Sequence, residues 1–422
     1  MRKTIQGKIY PNQKIRKILE TNSRGCQKVY NHFIKERKKC DKNKQKQPNK
    51  YEQKKQLKEF KDTNPELKNI QSQILQEIVR VKVPNTWQKY QEHKKINSQA
   101  KYPRMKTDKG WYSSFSYPQR TIDKNGKQWV FKIENNNLII KQGSAVKKSE
   151  RELKTPLKLN QPIQGEIKTL TISWKNWDKI LVSFTCEIKE KPKMPLNEVE
   201  EARGEDRGSI NLMADNKGWR VPNPEYWKKE EELINELKRA LSKKQQPRFK
   251  GDKTKLSKNH AKAKRKLVKE CQRLTNRVKD RNHKITRRIV DKNDLIVYED
   301  LKMKKMVEKK NVKGKKRKIS KYTAKGLQEV SLSMIKDFSI YKAKEAGKWI
   351  WFVNPQNTSK ECFECGMINK ELGKKRWFVC VNPKCDYEND RDVNAAKNIL
   401  YQGITELGTG HGRLSPRLLE RV

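Results

Sequence analysis

The chain reads as a multidomain α+β protein: a small antiparallel β-barrel interrupted by a helical lobe, then an α/β domain carrying a four-cysteine zinc ribbon. Three observations predict it. Short β-branched runs recur over residues 128–189, and helix-spaced apolar residues recur over 21–97. The last third sets an acidic strand end, four clustered cysteines and a second acidic motif one after another.

At 422 residues the chain exceeds one small core and accommodates two to four domains. Lys and Arg total 101 against 49 Asp and Glu, so the net charge is +52. Self-repulsion on that scale opposes compaction unless a polyanion neutralises it. Nucleic acid is the expected polyanion rather than a membrane surface, because no run of about 18 apolar residues occurs. Residues Met1 to Lys8 lack the apolar core of a signal peptide, so a cytoplasmic protein, associated with the nucleoid when on its target, is expected.

Lys8 to Asn12 reads as a strand ending in a turn. A helix over Gln13–Lys39 follows, with Ile15, Ile18, Leu19, Val29, Tyr30, Phe33 and Ile34 on its apolar face, then a lysine-rich break to Tyr51. Leu67, Ile70, Ile74, Leu75, Ile78 and Val79 mark a second helix, and the stripe is a bundle core rather than a binding box. Lys101, Tyr102, Arg104 and Lys106, then Trp111 and Tyr112, interleave cations with aromatics, a mixture that grips phosphates and stacks on bases. Strands follow at 129–133, 138–140, 170–174 and 180–186, and Lys191 to Pro195 is the linker out of the barrel. Beyond it, helices are expected over 224–244, 257–292 and 327–347, and a strand over 349–353. Between Lys302 and Lys325 the run containing Lys315, Lys316, Arg317 and Lys318 is strongly basic and would attract a phosphate backbone. The stretch 403–422 reads as a disordered tail.

Three carboxylates stand in three elements: Asp206 in a strand, Glu299 at the end of another, and Asp392 opening a helix. Nucleases that use two Mg ions about 3.5–4 Å apart need such hard oxygen ligands. Strand, helical insert, strand and helix is also the order of an RNase H-like domain. The cysteines fall as Cys362-x2-Cys365-x14-Cys380-x4-Cys385, within zinc-ribbon spacing, with Gly366 turning the knuckle. A closed four-thiolate site leaves no open position, so this zinc is structural. Cys26, Cys40, Cys186 and Cys271 are scattered and read as ordinary thiols.

These residues resemble a known family. Asp206 with Gly208, Glu299-Asp300-Leu301, the run from Val353 through Thr358 and Ser359 to Gly366, and Asp392 to Ile399 are similar to TnpB, the transposon-encoded RNA-guided nuclease, and to the miniature type V CRISPR effectors descended from it. The resemblance is close after Gly204 and looser before it. It implies a discontinuous wedge-like β-barrel (1–20 and 98–195), a helical recognition lobe (21–97), a RuvC-like nuclease domain (196–358 and 387–402) and a zinc-ribbon target-nucleic-acid-binding module (359–386). It also implies a guide RNA, a double-stranded DNA target next to a short flanking motif, and Asp206, Glu299 and Asp392 as ligands of two catalytic Mg ions. Base pairing would then supply sequence specificity while the protein grips backbone and shape. Monomer and dimer on the RNA both stay open.

Two departures stand out. The family usually brackets the first Asp with apolar residues, whereas Glu205 and Arg207 occupy those places here. Side chains alternate along a strand, so both would enter the core opposite Asp206, which is unfavourable unless they satisfy each other. The gap between Cys380 and Cys385 is also longer than the family's common two residues. The Glu205 and Arg207 pair leaves a second reading, an RNA-guided DNA-binding regulator with weak or no cleavage. A zinc-ribbon RNA-binding protein would leave the acidic motifs idle.

Overall fold

The structure is a computed structural model that describes residues 1–107, 114–118, 130–175, 179–208, 210–244, 256–301, 311–312, 315–316, 331–373 and 375–411. They form two compact units, Met1–Lys189 and Glu190–Val422. The boundary precedes the expected linker, because that linker belongs to the second unit: Met194 packs on its core and its carbonyl accepts the Trp349 indole N–H at 2.7 Å.

The first unit runs from β1 (Arg2–Ile9) through helices α1 (Gln13–Lys42), α2 (Lys50–Asp62), α3 (Ser72–Glu77) and α4 (Val83–Ile96). Six strands follow: β2 (Ser114–Tyr117), β3 (Phe131–Glu134), β4 (Asn137–Lys141), β5 (Glu152–Leu159), β6 (Glu166–Lys175) and β7 (Lys179–Glu187). The strands pair antiparallel in the order β2-β6-β7-β1-β5-β4-β3. The two outermost strands bring the rings of Tyr117 and Phe131 within 6.3 Å of each other. Alternation is strict along β7, where Ile180, Val182, Phe184 and Cys186 point inward.

Sheet and helices of this unit share one core, since Ile5, Phe115 and Phe184 cluster with Leu19, Phe33 and Ile74. Helix α2 begins where the lysine-rich break ends and occupies a stretch to which the sequence assigned no element. Asn49 and Glu52 form a capping box at its start, and Leu57 anchors it in the core. The second apolar stripe is not one α-helix either. A π turn at Ile78–Lys82 separates α3 from α4, just ahead of Pro84, which has no N–H to donate to the turn behind it.

The second unit begins with a meander, β8 (Ala202–Asp206), β9 (Asn211–Asp215) and β10 (Arg220–Pro222). Helices α5 (Tyr226–Lys229), α6 (Glu231–Ser242) and α7 (Lys258–Lys292) lead to β11 (Leu295–Glu299). After the short pair β12 (Asn311–Val312) and β13 (Lys315–Lys316) come α8 (Leu332–Ala346) and β14 (Trp349–Val353). The cysteine module holds β15 (Trp377–Val379) and β16 (Glu388–Asp390), and α9 (Arg391–His411) follows directly. The main sheet has the order β10-β9-β8-β11-β14, antiparallel through the meander and parallel from β8 to β14.

The sheet lies between two helical layers, and strand alternation assigns each side. Ile296 and Tyr298 of β11 pack with Ile289 and Val290 of α7 and Ile335 and Ala343 of α8. Leu295 and Val297 pack with Ile399, Leu400, Ile404 and Leu407 of α9. Helix α9 comes unusually close. A Cβ on Gly204 would lie 2.2 Å from the Ala396 carbonyl oxygen, and one on Gly403 would lie 2.5 Å from a Val297 methyl. The stretch from 403 was expected as disordered tail, but the helix continues to His411 with Ile404 and Leu407 buried. Gly403 marks a contact there, not a stop.

Two glycines of α9, Gly403 and Gly410, give opposite expectations. Gly403→Ala should cost about 1–3 kcal/mol of stability through overpacking. Gly410→Ala meets open space and should be neutral or gain up to about 1 kcal/mol. Thermal unfolding of the two variants beside wild type checks both.

Candidate active site

Alternation along β8 puts Ala202, Gly204 and Asp206 on the α9 side and Arg203, Glu205 and Arg207 on the other. β11 runs parallel with Tyr298 opposite Glu205, so the register continued by one residue sets Glu299 beside Asp206. Asp392 enters from the first turn of α9, whose start is capped by Asp390: its Oδ1 accepts the amides of Asp392 and Val393 at 2.9 and 3.3 Å. The three predicted carboxylates thus meet at one end of the sheet.

Their electrostatics record the meeting. Asp206 is pushed up to about 7, first by desolvation and then by the negative charges of Glu299 and Asp392. Burial also raises Glu299, and the Thr358 hydroxyl, which donates to Glu299 Oε1, opposes that rise. Asp392 is held by protein donors: Arg376 at 2.9 and 3.4 Å, and the Asn211 amide at 2.9 Å. Among the described residues, only the four cysteines bring their ligand atoms all within 4.8 Å of one another. The carboxylates form a wider, mutually repelling set. Such a set suits hard divalent cations, which would relieve that repulsion with oxygen ligands.

On the opposite face Glu205 and Arg207 are buried, at 0% and 6% exposure, as alternation predicts. Their partners differ from the expected mutual pair. Glu205 is bonded by Arg203, which also pairs with Asp215 at 3.1 Å and stacks over Trp219. Arg207 donates to the Glu299 carbonyl at 2.5 Å and lies over the Tyr298 ring. Arg203 was missed in the sequence, although its two-residue offset from Glu205 places it on the same face. Burial still dominates for Glu205, whose carboxyl rises to about 8.

The cysteine module is a compact site. Cys362 and Cys385 sulfurs lie 3.9 Å apart, and those of Cys365 and Cys380 lie 3.5 Å apart. Tetrahedral zinc with Zn–S of about 2.3 Å requires sulfurs about 3.8 Å apart, so the four residues fit that ion. Gly366 has φ +74° and donates its amide to the Cys362 carbonyl at 2.9 Å, which closes the knuckle. Phe378 and Leu372 fill the module's small core, whereas Trp377 is 52% exposed.

The proposed nucleic-acid residues fare unevenly. Lys101 and Arg104 are exposed. Tyr102 is engaged within the first unit, with its hydroxyl on Asp41 at 2.9 Å and its ring beside Trp87 and Tyr90. The Lys106 backbone is pinned by Asn31 in both directions. Lys315 and Lys316 form β13. Trp111, Tyr112, Arg317 and Lys318 lie outside the described residues.

Two family models match this chain. One, described as "Cas12f1-like, TNB domain", covers residues 333–399, and the other, "Probable transposase", covers 183–310. A "TnpB-like protein" of Acanthamoeba polyphaga mimivirus is 28% identical over 148 residues, 35% of this chain and 27% of that one. In these two stretches the chain is similar to TnpB-family proteins. A "Putative RNA-guided DNA endonuclease" of Streptomyces pristinaespiralis is 26% identical over 257 residues, 60% of this chain and 56% of that relative. A "CRISPR-associated endodeoxyribonuclease Cas12f1" of Sulfoacidibacillus thermotolerans is 41% identical over 70 residues, 16% of each chain. The chain therefore spans about half the first relative's length and less of the others. The fold is similar to a protein in a cryo-EM structure of a Cas12f1–sgRNA–target DNA complex, with TM-score 0.54 and 16% identity over 92% of this chain and 83% of that one. No helix among the described residues is long and apolar enough to cross a membrane.

Two outcomes test this geometry. Glu205 has a folded-state pKa above its unfolded value, so wild type should lose stability as pH rises from about 4.5 to about 8. Glu205→Gln removes that titration, so its Tm relative to wild type should climb between pH 5 and pH 8. Metal analysis should find one zinc per chain, lost in Cys380→Ser or Cys385→Ser and retained in Cys271→Ser.

Proposed function

We propose that this chain is an RNA-guided DNA endonuclease whose acidic site, Asp206, Glu299 and Asp392, holds two Mg ions for phosphodiester hydrolysis. The carrying observation is the coupling of Asp206 to both other carboxylates across three separate elements. The meander followed by parallel strands, with Asp392 on the helix that covers one face, fits the RNase H-like arrangement of a RuvC domain. The bound ions would supply activation of a water nucleophile and charge stabilisation at the leaving oxygen. The chain's own residues do the rest. β8 and β11 fix two carboxylates in register, the Asp390 cap fixes the third, and Arg376 stands beside Asp392 as a cation next to the site where a phosphate would bind.

The names of the relatives support a nucleic acid target, and the net charge of +52 supports an extended polyanionic partner. In this reading a guide RNA neutralises much of that surface and pairs with DNA beside a short flanking motif, while the zinc module contributes to target binding. One observation favours a regulator with weak cleavage instead. Asp392 is occupied by Arg376 and Asn211, and ions must compete with those contacts.

Cleavage of a target plasmid by the chain with its RNA separates the readings. Wild type should cut only with Mg, and Glu299→Ala and Asp392→Ala should each lose about a thousandfold, the effect of several kcal/mol of transition-state stabilisation. Guide-dependent DNA binding without Mg-dependent cutting by wild type would establish the regulator.

A further inference from the structure

We propose that Thr358 is a positioning residue for divalent-cation binding, holding the Glu299 carboxylate by one oxygen while Asn398 of α9 holds Thr358. This inference rests on the cation-binding reading of Glu299. The Thr358 hydroxyl donates to Glu299 Oε1, and Glu299 Oε2 has no hydrogen-bond partner among the described residues. Thr358 is 5% exposed and Glu299 is 7% exposed, so the bond is sheltered from competing water.

The segment carrying Thr358 is tied down along its length. Asn357 takes the left-handed φ of +64° and its carbonyl accepts the amides of Lys360 and Glu361, at 2.7 and 3.0 Å. The Thr358 carbonyl accepts the Asn398 amide at 2.9 Å. The Glu361 carbonyl accepts both Asn394 and Asn398 at 2.8 Å, and Asn394 Oδ1 takes the Phe363 amide at 3.2 Å. Asn394 and Asn398 are four residues apart on α9 and so share a face. They fasten the strip between β14 and the first zinc cysteine to the same helix that delivers Asp392.

A carboxylate held by a charge-assisted hydrogen bond loses rotamer freedom before an ion arrives, so less is lost on binding. Threonine suits this place because its branched side chain is itself restricted at χ1. Valine has nearly the same shape and no hydroxyl, which gives a clean test. Mn2+ is titrated into the full chain with its RNA, using the Asp392→Ala complex as the blank for ions taken up by RNA. Thr358→Val should weaken Mn2+ binding about tenfold, with Tm and zinc content close to wild type, and cleavage should recover at high Mn2+. Thr358→Ser, which restores the hydroxyl, should bind like wild type.

Equal Mn2+ affinity in wild type and Thr358→Val overturns the proposal. So does equal impairment of the Val and Ser variants, which would mean that shape matters and the hydroxyl does not. Should Thr358→Val fail to fold, Thr358→Ala against Thr358→Ser makes the same comparison. A wild-type complex that takes up no Mn2+ above the blank defeats the cation reading itself.

Discussion

The second unit depends on how closely α9 lies on its sheet. Gly204 on β8 and Gly403 on α9 remove the side chains that would hold helix and strands apart, at contacts where a single methyl would collide with backbone or with Val297. That closeness fixes where the first turn of α9 falls. It falls beside the C-terminal ends of β8 and β11, where Asp206 and Glu299 point to the same side. Three carboxylates far apart in sequence share one electrostatic environment because two residues have no side chain.

The other face of β8 shows what the arrangement costs. Arg203, Glu205 and Arg207 all turn toward a side otherwise built from Tyr298, Met213 and Ile296. A buried charge without a partner is expensive, and a buried pair at best offsets its own desolvation. Here Arg203 serves Glu205 and Asp215 together, and Arg207 spends one donor on a backbone carbonyl and its plane on an aromatic ring. Among the described residues Glu205 Oε2 and Arg207 Nε have no hydrogen-bond partner. It lies directly behind Asp206 and Glu299, and the positive charge of Arg207 pulls against the desolvation that raises Glu299.

Much of this was legible. A short β-branched run located β7, an apolar run ending in Glu299 located β11, and the cysteine spacing located the module. What failed did so for physical reasons. Helix α2 was hidden because its lysines mask a short apolar face, although the Asn49 to Glu52 cap was in plain view. The stretch from Gly403 was read as disordered tail for its low apolar content, and a sequence does not show whether a glycine frees the backbone or admits a neighbour. The hydrogen bond from the Tyr102 hydroxyl to Asp41, sixty-one residues earlier, was not visible in the sequence. The partners of Glu299 and Asp392, Thr358 and Arg376, depend on contacts across the fold that no local pattern encodes.

The four-cysteine module is joined to the acidic site by more than proximity. β16 pairs with β15 inside the module, and the chain passes from Asp390 at the end of β16 straight into α9. Asp390 belongs to both, since it pairs with Arg220 on β10 and caps the helix that carries Asp392. At the module's other end, the strip before Cys362 is fastened to α9 by Asn394 and Asn398. A module closed by four thiolates is rigid at its centre. Contacts at both of its ends bring the module onto the helix whose first turn carries Asp392, a member of a mutually repelling acidic set.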